Sequence, residues 1–121
     1  MKKFLQNFRF PVIAVLLFVV MALLDMTSSI LAMRLPGVYE SNPYTRDISH
    51  NFVVIRHIVY NLLWLIGLGI ISVALYQATK DWDERSMIGK TLAGLPFFFN
   101  SLSAVPAVVN NIMIALRWYV P

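Results

Sequence analysis

The sequence predicts an all-α integral membrane protein with three transmembrane helices, and three observations carry that prediction. Of its 121 residues 59% are hydrophobic and only 13% are charged, and the mean hydropathy is +0.69. The apolar residues fall into three runs, each near the roughly 20 residues that a helix rising ~1.5 Å per residue needs to cross the hydrocarbon core. A soluble domain this small would leave much of that apolar surface facing water, whereas lipid solvates it. No internal repeat, low-complexity tract or long linker divides the chain, so residues 1–121 read as a single transmembrane helical domain.

The first span is expected at about residues 11–33. It opens with Pro11, tolerated in a first helical turn, and closes at Arg34 before Pro36-Gly37, which continue a helix poorly. Lys2, Lys3 and Arg9 ahead of this run resemble the n-region of a secretory signal, but Ile30 stands where a cleavage site at Ala32 wants a small residue, so the segment is expected to be retained. The second span is expected at about 58–79, ending with Gln77 and Lys80; the third at about 92–120, after Lys90-Thr91.

Direction follows from the basic residues beside the spans. Lys2, Lys3, Arg9, Lys80, Arg85 and Lys90 fall on one side, Arg34, Arg46, Arg56 and Arg117 on the other. Six against four favours a cytoplasmic N-terminus and an exterior C-terminus. Aromatic residues stand where interface anchors belong: Phe4, Phe8, Phe10 and Trp82 inside, Tyr39, Tyr44, Trp118 and Tyr119 outside.

Asp25 interrupts the first apolar run. An ionised aspartate near a helix centre costs about 2.5–3.5 kcal/mol to insert, so it is expected to meet protein or a wet cavity rather than acyl chains. With the helix centred near Ala22, Asp25 lies roughly 4–5 Å beyond the midplane. Ser28, Ser29 and Ala32 follow at spacings of three, four and seven, giving that helix one small, polar face. Asn61, Gly69 and Ser72 form a comparable stripe on the second helix, and Asn100, Ser103, Ala107 and the pair Asn110-Asn111 on the third, which Pro106 is expected to kink. Ser103 and Ala107 also permit close helix approach. The three stripes are expected to face one another, with Asn100 or Asn110 and a serine donating to Asp25. The same residues serve two readings: interhelical hydrogen bonding, or a proton or cation pathway.

The exterior connection, residues 33–58, contributes Glu40, Asn42, His50 and His57 as candidates. The two histidines are seven residues apart, which on one helix is about 10 Å, too far to bind one metal unaided. Asp47 or Ser49 is expected to cap the second helix, and Arg56 to snorkel beside Tyr60 and Trp64. Asn42-Pro43 is a turn signal that would let Glu40 fold back toward Arg34 or Arg46. The interior turn, residues 80–90, balances three acids against three bases around Trp82, the pattern of a solvated, interface-anchored loop.

Asp25 with its hydroxyl residues, then Gly37, then Glu40-Ser41-Asn42-Pro43 resembles the Asp…Gly…Glu-x-Asn-Pro signature of a family of small prokaryotic integral membrane proteins of unassigned function. The resemblance covers residues 22 to about 47. It implies a compact helical membrane protein of a bacterial inner membrane, with Asp25, Glu40 and Asn42 the positions to watch, and it implies no reaction.

Several chemistries are excluded by composition. Cysteine is absent, which removes disulfides, thiolate metal sites and a cysteine nucleophile. Gly67-Leu68-Gly69 lies within an apolar helix without the strand or lysine of a phosphate loop, and no Ser-His-Asp set, paired catalytic carboxylates or zinc-protease helix is found. No enzyme activity, cofactor or metal is therefore expected. The net charge of +4 is scattered at span ends rather than along one face, so nucleic acid is not expected as a partner. The chain reads as a small accessory or structural subunit in the lipid bilayer, packing against other subunits of a larger membrane complex. The alternative is a self-assembling, homo-oligomeric transporter or ion pathway using Asp25 with Asn100, Asn110 and Asn111. A third reading is a metal- or lipid-handling protein using Glu40, His50 and His57.

Overall fold

The computed structural model describes residues 1–33 and 50–119, with side chains described for residues 1–32 and 54–116. Among these the chain forms a short helix α1 (Lys2–Asn7) and three long ones, α2 (Arg9–Met33), α3 (His50–Thr79) and α4 (Met87–Tyr119). The long helices each hold a stretch long and apolar enough to cross a membrane: Arg9–Ala32, Val54–Thr79 and Met87–Leu116. Apolar backbone can enter lipid only when its N–H and C=O groups are satisfied internally, which helices achieve.

Two helices begin earlier than their apolar runs. α3 starts at His50 rather than near Ile58, because Arg56 and His57 change the solvent a side chain prefers without breaking the backbone pattern. α4 starts at Met87 rather than near Leu92, because Asp83 caps it: Oδ2 accepts the Met87 N–H at 2.9 Å and Oδ1 the Ile88 N–H at 3.3 Å. Ser86, immediately before the helix, takes φ 55°, turning the chain sharply enough to send α4 back along α3. Helix α4 runs on through Pro96 and Pro106.

α4 is the central helix. It packs extensively on α2 and on α3, while α2 and α3 touch each other only sparsely. The apolar stretch of α4 is 28% buried against 11% for each of the others, leaving most large hydrophobic side chains of α2 and α3 facing outward, as a lipid solvent requires. The core is Ala14, Phe18, Leu68 and Phe97, with Val15, Leu65 and Phe98 against it. Phe18 meets Phe97 edge-on at 5.6 Å between ring centroids, a favoured aromatic geometry.

The end near the 80–86 turn is closely packed. A Cβ on Gly89 would lie 2.9 Å from the Lys80 Cα, so the absence of a side chain is what lets α4 start against the end of α3. Gly94 similarly admits the Phe10 ring, which a Cβ would approach to 2.5 Å. Phe8 stacks edge-on against Tyr76 at 5.3 Å, and the Lys90 Nζ lies 5.6 Å from the Phe8 centroid.

Candidate functional site

Toward the other end, where α2 finishes and α3 begins, the bundle holds a polar cavity of about 470 Å³. Its existence follows from the packing order: α4 holds both neighbours, but α2 and α3 barely meet, so the space between them is left to side chains. Helix α2 contributes Phe18, Met21, Ala22 and Asp25; α3 contributes Arg56, His57, Tyr60, Asn61 and Trp64. From α4 come Asn100, Ser101, Ser103, Ala104 and Ala107. Measured from the middle of each apolar stretch, Asp25 lies about 7 Å and Arg56 about 16 Å toward this end, with Trp64 and Asn100 within about 4 Å of mid-helix. The cavity thus reaches from mid-bundle to one end of the spans. Phe18, backed by Phe97, stands at its inner limit.

Many polar groups around Asp25 have spent hydrogens on their own backbone. Ser101 Oγ donates to the Phe97 carbonyl at 2.8 Å and Ser103 Oγ to the Asn100 carbonyl at 2.6 Å. One hydrogen of the Asn61 amide goes to the His57 carbonyl at 2.8 Å. Such local bonds are the usual way a hydroxyl or amide is made tolerable inside a membrane helix. They leave hydroxyl and amide oxygens as acceptors. Arg56 and His57 each have partners of their own.

The expected polar stripes are brought together in part. Asp25, Asn61, Asn100 and Ser103 share the cavity, with His57 at its outer end. The interhelical amide contact is made elsewhere than expected: Asn111 Nδ2 donates to Ser29 Oγ at 3.0 Å and Ser28 Oγ at 3.2 Å, and Ser28 donates to the Asp25 carbonyl at 3.2 Å. Among the described residues neither Asn100 nor Asn110 bonds the Asp25 carboxylate. Asn110 does not join the inward face and is exposed. Eleven residues from Asn100 is close to three full turns, which aligns Asn111, whereas ten residues leaves Asn110 about 80° off that line. Ser72 is buried at the α3 interface, and its hydroxyl has no hydrogen-bond partner among the described residues.

Arg56, Tyr60 and Trp64, expected as an interfacial snorkel and its aromatic neighbours, also line the cavity, with more than half the surface of Tyr60 and Trp64 still facing outward. Their spacing of four, with His57 and Asn61 one residue on, is a helical face that treats aromatic and basic residues as one surface. That signal was available in the sequence. Glu40 and Asn42 lie outside the described residues, as do Gly37, Pro43, the caps expected at Asp47 and Ser49, and the side chain of His50. Among the described residues no three His, Cys, Asp or Glu side chains gather as a metal site.

No protein family model matches the chain, and neither a curated protein nor a solved structure matches it.

Proposed function

We propose that this chain is a small, non-enzymatic integral membrane protein that receives a proton or a cation at Asp25 through the cavity between α2 and α3. The observation that carries the reading is that Asp25, the one carboxylate within the described apolar stretches, borders the cavity beside Asn61, Asn100 and Ser103. Intramembrane carboxylates on such spaces serve ion and proton pathways. With the N-terminus cytoplasmic and the C-terminus exterior, as the basic residues favour, the cavity lies on the exterior side of a bacterial plasma membrane. The test is flux in reconstituted vesicles. Asp25→Asn keeps the shape of the side chain and removes its charge, so proton or cation flux should be lost; equal flux in both proteins would end the proposal.

A second reading has its own support. Asn110 is turned out of the bundle and α2 and α3 are little covered, which suits a subunit that packs against other membrane polypeptides. Purification in a mild detergent should then recover those polypeptides in fixed ratio, and a pure homo-oligomer would refute it.

A further inference from the structure

We infer that the guest of this cavity is an organic ammonium ion; the inference rests on the proposed reading of Asp25 as a cation-receiving group. Three observations narrow the class. The first is size: about 470 Å³ falls within the roughly 300–1,000 Å³ of small-molecule sites and far exceeds a bare ion. The second is the donor set. Among the described lining residues Asp25 is the one carboxylate, about 7 Å from mid-helix; Ser101 and Ser103, their hydroxyl hydrogens given to backbone carbonyls, and the Asn61 amide present oxygens, while Arg56 and His57, the basic side chains of the lining, stand nearer the outer end with partners of their own. That carboxylate with neutral oxygens suits a monovalent N–H or N–CH₃ cation better than a divalent metal, for which no three His, Cys, Asp or Glu side chains gather among the described residues.

The third is the wall opposite Asp25. Tyr60 and Trp64 stand one turn apart on α3, so both rings border the same space. Aromatic rings attract weakly hydrated ammonium groups and cover the attached carbons, whereas a hydrated inorganic cation gains little from them. Size, acceptors and rings point to one guest: an alkylammonium head against Asp25 with its carbon substituents along Tyr60 and Trp64.

The tryptophan in the cavity makes this measurable. The chain has three, Trp64, Trp82 and Trp118, so Trp82→Phe with Trp118→Phe leaves Trp64 as the sole reporter. In nonionic micelles, choline or tetraethylammonium should change Trp64 emission saturably. Choline's uncharged isostere, with carbon in place of nitrogen, should not. Asp25→Asn should weaken the cation about tenfold or more, the loss of one charge-assisted contact, and Asp25→Glu should retain it, separating charge from folding. Equal response to the isostere, or equal affinity in Asp25→Asn, overturns the inference. No response to either cation, with a proton flux that Asp25→Asn abolishes, overturns this inference and leaves the broader reading standing; loss of neither flux nor binding in that variant removes both.

Discussion

The two ends of this bundle use the same three helices to opposite effect. Near the 80–86 turn, Gly89 and Gly94 bring backbones and rings into contact, and Phe18 closes on Phe97. Toward the end of α2 and the start of α3, α2 and α4 stay joined through Ser28, Ser29 and Asn111, while α3 presents Arg56, Tyr60 and Trp64 and stands off. Small residues let membrane helices close; long polar and aromatic ones on a single partner hold a space open. Close packing and open space are thereby segregated along one axis.

The sharpest way to break this contrast is at its boundary. Phe18→Ala removes a ring shared by the core and the cavity and should destabilise the protein by about 3 kcal/mol, read as the unfolding midpoint in mixed micelles. A change near zero would mean that the core and the cavity are not mechanically distinct. Next comes a matched pair. Gly89→Val in the tight end forces carbon against the Lys80 backbone and should cost about 1–3 kcal/mol, whereas Ala107→Val beside the cavity should stay within about 0.5 kcal/mol. Equal costs would show that the open end is as closely packed as the other. The smallest effect separates two adjacent amides: Asn111→Ala should cost roughly 1 kcal/mol through loss of its serine bonds, and Asn110→Ala less than about 0.5 kcal/mol.

The adjacent amides also show what the sequence could and could not disclose. Runs of apolar residues near bilayer length made the three helices legible, and Asp25 with its trailing serines identified the inward face of α2. Helix starts were less legible because they are set by capping and turn geometry at Asp83 and Ser86, not by where apolarity ends. A pair such as Asn110-Asn111 places one side chain inward and the other about 100° away, and choosing between them requires counting turns from a fixed neighbour such as Asn100. Arg56, Tyr60 and Trp64 read as one group from their spacing of four. That they also border a cavity depends on how sparsely α2 and α3 touch, a property of packing order that no single helix encodes.

The edge-on Phe18–Phe97 pair has a kinetic meaning under the cation reading. Phe18, the innermost α2 side chain on the cavity and held edge-on by Phe97, stands between Asp25 and the closely packed end, so a solute bound for the far side must wait for that contact to part. Traffic limited by such a wait levels off as solute rises, the signature of a carrier that turns over rather than a pore that conducts.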